Sequence, residues 1–255
     1  MRVVKSIGTI LLLVYLGIGL FLYLKQRSFL YFPTPNINVQ YPSMTLKNDG
    51  ENINVFVLNE GHKNAILYFG GNAESMAEST GYIEAQFPTF TVYLMDYRGY
   101  GASTGEASEK ALYSDALKLY DTVASKYQKI CIGGRSLGSG VATYVASKRE
   151  VSKLALITPF DSILSVAEGR YPMYPVSLLL KDSYDSESRA KNIKAKTFIV
   201  MAEYDKVIPR KNTQNLINAF DATQVEVVTI KNRGHIDVSS DARYYKIMQD
   251  FIGEG

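Results

Sequence analysis

A serine between two glycines, Gly134-Arg-Ser-Leu-Gly138, lies where an apolar run at 130–133 gives way to a helical pattern beginning at Leu137. A tight strand-to-helix turn would force the Ser136 backbone into a strained conformation and expose its Oγ. Side chains two positions before and after would collide with the neighbouring strand or helix, which favours glycine at 134 and 138. The helix N-terminus beneath the turn would favour developing negative charge. The pattern alone is common, and a plain Gly/Ser turn closing a strand reads the same way.

A serine hydroxyl is a weak nucleophile. It needs a base within hydrogen-bond reach and an acid to orient that base. On a strand-to-helix elbow the chain order is serine, then acid, then histidine. The sequence has two histidines, and only His235 follows Ser136. His235 closes Asn232-Arg-Gly-His235, just after the last β-rich run, although a lone histidine can equally be a surface loop residue. Asp205 follows the penultimate run, 197–202, and is the first choice of acid. Glu203 is the reserve, Asp161 after the run 154–158 is a third candidate, and all three read equally as loop carboxylates. An oxyanion hole would take one N–H from Leu137 and a second from the loop after the run 65–69. That loop is Gly70-Gly71-Asn72, and its two glycines let the main chain approach a substrate, with Asn72 as the second donor.

Elements must bring these residues together. β-rich runs at 55–58, 65–69, 90–95, 130–133, 154–158, 197–202 and 225–230 alternate with helical patterns at 75–86, 108–126, 137–148, 212–220 and 242–252. Several runs are apolar on both faces, as in a mostly parallel sheet covered by helices on both sides. The alternation predicts one α/β doubly wound domain. Residues 159–195 break the rhythm with Pro172, Pro175 and three tyrosines, and read as a small insertion over the sheet edge. Residues 25–43, with Pro33, Pro35 and Pro42, read as an extended connector.

Residues 7–24 form an uncharged apolar run. As a helix it would span about 27 Å, close to bilayer hydrocarbon thickness. Tyr15 is central in it and Tyr23 lies at interface depth. A cleaved signal would have a shorter core and a small-x-small exit, which Phe21-Leu-Tyr-Leu24 lacks. The expected organisation is a single-pass anchor over residues 1–29 and a catalytic domain over 30–255. Flanking charges balance, Arg2 and Lys5 against Lys25 and Arg27, so orientation is not legible.

The remaining composition excludes several classes. Net charge is +3, from 28 basic and 25 acidic side chains, and the basic residues are scattered rather than gathered into a nucleic-acid stripe. One cysteine, Cys131, allows no internal disulfide and reads as a packing residue in a strand. With two histidines no zinc site is expected, and no Walker, dinucleotide or haem motif implies a cofactor. Nothing speaks to oligomeric state.

Taken in order, Tyr68-Phe-Gly-Gly-Asn-Ala-Glu74, Asp96-Tyr-Arg-Gly-Tyr-Gly101, Gly134-Arg-Ser-Leu-Gly138, Asp205-Lys-Val-Ile-Pro209 and Gly234-His235 resemble the Bem46-like branch of the α/β hydrolases. The apolar helix followed by Leu30-Tyr-Phe-Pro33 is similar too. One departure is Gly70, where many members carry histidine; glycine keeps the backbone donors. The resemblance implies an α/β-hydrolase fold and a serine hydrolase acting on esters or thioesters, with acylated small molecules, lipids or proteins as substrates. It also implies that Asp96 and Arg98 shape a loop beside the site rather than react. Two other readings stay open at this point, a serine peptidase on short peptides and a non-catalytic membrane-bound interaction module.

Overall fold

The computed structural model describes residues 2–253. Met1 and residues 254–255, the outer ends of the expected anchor and catalytic domain, lie outside the described residues. Eight strands form one sheet: β1 (Ser43–Asn48), β2 (Glu51–Leu58), β3 (Asn64–Phe69), β4 (Thr91–Met95), β5 (Lys129–Arg135), β6 (Lys153–Ile157), β7 (Lys196–Ala202) and β8 (Val225–Ile230). Their spatial order is β1-β2-β4-β3-β5-β6-β7-β8. β2 runs antiparallel to β1 and β4, and every other pairing is parallel. The strand order reverses at β3, which lies between β4 and β5. In open α/β sheets the crevice beyond the strand C-termini at such a point is where ligands bind.

Side chains alternate between the faces with period two. In β3, Ala65, Leu67 and Phe69 join one core, while Ile66 joins the other. The first core is covered by α3 (Glu109–Val123), α4 (Leu137–Lys148) and α8 (Arg210–Ala219), through Leu112, Leu119, Val141, Val145 and Leu216. The second is covered by α2 (Met76–Gln86) and α9 (Tyr244–Gly253), through Met76, Ile83, Met248 and Phe251. Each fully buried large side chain contributes about 1.5–3 kcal/mol through its transfer from water. Ser75 caps α2 and Ser108 caps α3, each accepting from a backbone N–H of the first turn. Cys131 is buried in the second core, and burial pushes its thiol up to about 11. It is a packing residue and carries little thiolate near neutrality.

Two expectations change, and the insertion gains its internal structure. The N-terminal helix α1 runs from Arg2 to Leu30, so residues 25–30 are helix rather than connector. Lys25-Gln-Arg-Ser-Phe-Leu30 contains no breaker, and the first proline comes only at Pro33. Strand β1 was not expected, nor the N-terminal half of β2. The Asp49-Gly50 pair between them has φ of 50° and 82°, the two left-handed residues of a type I′ hairpin turn. The 159–195 insertion folds as three short helices: α5 (Ile163–Arg170), α6 (Val176–Leu179) and α7 (Glu187–Ala190).

Among the described residues, one helix is long and apolar enough to cross a membrane, Ser6–Leu30, with a mean hydropathy of 2.4.

Candidate active site

Parallel register brings four loops to one edge of the sheet. Phe69 pairs with Gly134, Arg135 with Ile157, Ile157 with Val200, and Ala202 with Ile230. The segments leaving β3, β5, β7 and β8 therefore start side by side, and they carry Asn72, Ser136, Asp205 and His235.

Ser136 has φ 49° and ψ −116°, a conformation side chains rarely adopt. Such strain costs on the order of 1–3 kcal/mol and persists only where the surroundings impose it. Its N–H donates to the Ile157 carbonyl at 2.9 Å, and its carbonyl accepts from Ser139 N–H at 2.9 Å. The flanking glycines are sterically required. A Cβ on Gly134 would lie 2.4 Å from the Gly138 carbonyl oxygen, and one on Gly138 would lie 2.0 Å from that of Phe69. Both obstacles are backbone and cannot swing aside. At Gly70 a Cβ would meet the flexible end of Met76, and at Gly71 it would make ordinary contact with Ser136 Cβ at 3.8 Å. Backbone packing thus demands glycine at 134 and 138, whereas at 70 and 71 a Cβ would meet only a flexible side chain or make ordinary contacts.

His235 Nε2 is 2.8 Å from Ser136 Oγ, and His235 Nδ1 is 2.8 Å from Asp205 Oδ2. Asp205 Oδ1 accepts from the Val207 and Ile208 N–H groups at 2.9 and 2.8 Å. A carboxylate so held can only accept at its free oxygen. It therefore fixes the tautomer with Nδ1–H toward Asp205 and leaves Nε2 to accept the Ser136 proton. The other candidate acids are engaged elsewhere. Glu203 accepts from Asn232 N–H at 2.8 Å. Asp161, fully buried, accepts from Ser162 N–H and from the amides of Asn212 and Asn215, and so fastens the insertion to α8.

Leu137 and Asn72 line the same cavity as Ser136. Neither of their N–H groups has an acceptor among the described residues, whereas the Gly71 N–H is taken by Glu74 Oε2 at 2.8 Å. Two main-chain donors without acceptors therefore line the cavity beside the Ser136 hydroxyl.

Several side chains that hold this arrangement lie in motifs the sequence displays, but their partners do not show there. Tyr97 OH donates to the Gly70 carbonyl and Tyr100 OH to the Asn72 carbonyl, each at 2.8 Å. The Asp96–Gly101 segment thus supports the loop after β3 through its tyrosines. Asp96 and Arg98 do not line the cavity. Arg98 makes a two-pronged pair with Asp115 at 2.8 Å for each prong, tying the segment to α3. Asp96 accepts from Asn54 at 2.9 Å, and burial pushes its carboxyl above the ordinary range. Arg135 donates to the Ile236 carbonyl at 2.6 Å and lies 3.9 Å from Glu74, so one guanidinium links the elbow, the His235 loop and the loop after β3.

Tyr100→Phe removes the bond its hydroxyl donates to the Asn72 carbonyl and the 2.8 Å bond it accepts from Phe32 N–H, which still reaches the Asn72 carbonyl at 3.1 Å. A net hydrogen bond is worth about 1 kcal/mol. We expect kcat to fall about tenfold, the equivalent of about 1.4 kcal/mol in the transition state, with KM within about twofold and a small loss of Tm. Equal kcat in the variant and the parent would show that the hydroxyl does not position the loop.

The fold is that of the α/β hydrolases. Residues 64–186 match the family model described as alpha/beta hydrolase fold, which spans the elbow and ends before Asp205. The chain is an α/β-hydrolase-fold protein whose homologues include Bem46 and the ABHD proteins. It is 28% identical to an uncharacterized protein of Mycobacterium tuberculosis over 244 residues, 89% of this chain and 86% of the other. To protein bem46 of Schizosaccharomyces pombe it is 24% identical over 264 residues, 92% and 88% of the two chains. The solved esterase Pf2001 of Pyrococcus furiosus superposes with a TM-score of 0.68 at 15% identity, over 87% of this chain and 98% of that one. That likeness is one of fold.

Proposed function

We propose that this protein is a serine hydrolase that cleaves carboxylic esters or thioesters through an acyl-enzyme. The observation that carries the reading is the unbroken relay from Ser136 Oγ to His235 Nε2, and from Nδ1 to Asp205, at 2.8 Å for each link on a strained elbow. Ser136 Oγ attacks the acyl carbon as its proton passes to His235 Nε2. The carbonyl oxygen, now negative, takes the Leu137 and Asn72 N–H groups. Collapse breaks the bond to the leaving oxygen or sulfur, which receives the proton from His235. Water then gives a proton to His235 and its oxygen to the acyl carbon, and Ser136 recovers its hydrogen as the acid leaves. Asp205 holds the imidazolium that forms in each half.

The same reading takes residues 1–29 as a retained single-pass anchor and 30–255 as one catalytic domain. Retention is supported by the bonds α1 makes beyond itself. Gln26 Nε2 donates to the Leu179 carbonyl at 3.2 Å, and Arg27 pairs with buried Asp182 at 2.8 Å.

The purified full-length protein is expected to be labelled by a fluorophosphonate probe and to hydrolyse p-nitrophenyl butyrate, with prior labelling abolishing hydrolysis. Absence of both reactions in folded protein would overturn the proposal.

A further inference from the structure

The space over Ser136 is closed by two walls that the sheet does not supply. A cavity of about 350 Å³ lies between the elbow, the insertion and α1. Ser136 and Leu137 form its floor. Val166 and Ala167 of α5 stand on one side, and Gly19 and Leu22 of α1 on the other. We propose that α1 is a wall of the acyl-binding pocket as well as an anchor. The pocket takes the single long acyl chain of an ester or thioester resident in the bilayer, which reaches Ser136 by sliding along this helix. The inference rests on the serine-hydrolase reading and deepens it.

The pattern of exposure along α1 supports a working face. Tyr15, Gly19, Leu22, Gln26 and Leu30 are half-buried, at helical spacing, while Leu16, Leu20 and Leu24 between them are more than half exposed. The face is pinned at two heights. Near its middle, Tyr15 stacks on Tyr174 of the insertion at 4.7 Å between ring centres, and its hydroxyl donates to the Met173 carbonyl at 2.7 Å. Near its C-terminal end, Gln26 accepts from Lys181 N–H at 2.7 Å and Arg27 pairs with Asp182. The cavity runs along this face from Gly19 to Leu30, past the lower pin. Gly19 matters at the upper one, because a Cβ there would come within 2.9 Å of the Tyr174 ring.

Dimensions and chemistry point to one acyl chain. At 1.5 Å per residue, Gly19 to Leu30 spans about 16 Å. That is the depth of one leaflet, half of the roughly 30 Å hydrocarbon core. The volume is at the small end for ligand pockets, about 300–1,000 Å³, and suits one chain rather than two. The insertion bordering the cavity exposes Met173 and Leu178 by 67% and 83%, beside a helix made for lipid. Such side chains lose solvation cost when the insertion rests in the membrane. The reacting end is coupled to the same helix. Asn72 Nδ2 donates to the Leu30 carbonyl, and Phe32 N–H donates to the Asn72 carbonyl, both at 3.1 Å. The helix that guides the chain thus also seats the oxyanion loop.

The test uses full-length protein in detergent micelles or proteoliposomes, with p-nitrophenyl butyrate and p-nitrophenyl palmitate as paired probes. Leu22→Trp narrows the cavity from the α1 side, Ala167→Phe narrows it from the α5 side, and Leu24→Trp places the same bulk on the exposed face of α1. In both cavity variants the palmitate-to-butyrate ratio of kcat/KM should fall at least tenfold, and in Leu24→Trp that ratio should stay at the parent's value. Fluorophosphonate labelling at the parent rate identifies variants that are folded with an intact relay. Equal losses on both esters in such variants, or no loss on palmitate, would overturn the inference while leaving the hydrolase reading in place. A parent protein inert toward both esters and the probe would overturn the hydrolase reading itself.

Discussion

Ser136→Ala should lower kcat for p-nitrophenyl butyrate by about 10⁶-fold and abolish fluorophosphonate labelling. Losses of that size follow removal of the nucleophile from a serine–histidine relay, and the residual rate comes from the oxyanion donors and binding alone. The substitution removes one oxygen and touches little else, because the bonds that hold residue 136 in place are made by its N–H and carbonyl. Alanine inherits the positive φ of 49°, so the strain stays. His235→Ala should cost about as much as Ser136→Ala, and the double variant little more than either, since the two act as one unit. A Ser136→Ala protein retaining a tenth of parental activity would mean that another group attacks the substrate.

Ser136→Gly separates strain from chemistry. Glycine accepts positive φ, so the variant regains part of the 1–3 kcal/mol held at the elbow, offset by about 0.5–1 kcal/mol of added chain entropy. For a domain of this size each kcal/mol moves Tm by roughly 2–4 °C. An inactive protein that melts no lower than the parent is the expected outcome. A lower melting temperature would show that the elbow is not strained.

Much of the sheet is legible because its strands are buried on both faces. Runs such as Ala65-Ile-Leu-Tyr-Phe69 and Thr197-Phe-Ile-Val-Met-Ala202 have no solvent face to encode and read as unbroken apolar strings. The edge strand β1 escapes notice because its residues are mostly exposed or half-exposed, and Ser43-Met-Thr-Leu-Lys-Asn48 looks like loop until the Asp-Gly turn is weighed. Elimination singles out His235 as a candidate base, since no second histidine follows Ser136. Position favours Asp205 over Glu203 and Asp161, but only contacts tell the three apart. Glu203 and Asp161 are engaged by Asn232, Asn212 and Asn215, partners the chain order does not announce. The same holds for Arg135 and Ile236, which lie 101 residues apart in the chain, and for Tyr100 and Asn72, separated by 28. The uncharged apolar run marks residues 7–24 as a helix, but that Tyr15, Gly19 and the following Gln26 share one face of it is informative only once the insertion is seen against them.

Asp205→Asn tests the third member of the relay through its hydrogens. In the parent, Asp205 Oδ1 accepts from two backbone N–H groups, of Val207 and Ile208. An asparagine must keep its carbonyl oxygen there, because turning its NH2 toward two donors would leave all of them unpaired. The NH2 then occupies the place of Oδ2 and donates to His235 Nδ1. The ring must accept at Nδ1 and carry its proton on Nε2, which now points a hydrogen at Ser136 Oγ and cannot remove one. We expect kcat to fall about 10⁴-fold with little change in fold, the consequence of a wrong tautomer in otherwise intact geometry. Asp161→Asn is the matched control. It disturbs a buried carboxylate held by two amides and a backbone N–H, and should cost on the order of 1–3 kcal/mol of stability. Folded Asp161→Asn protein should retain most of its activity. Should Asp205→Asn stay within tenfold of the parent while folded Asp161→Asn does not, the acid would have to be reassigned to the loop after β6.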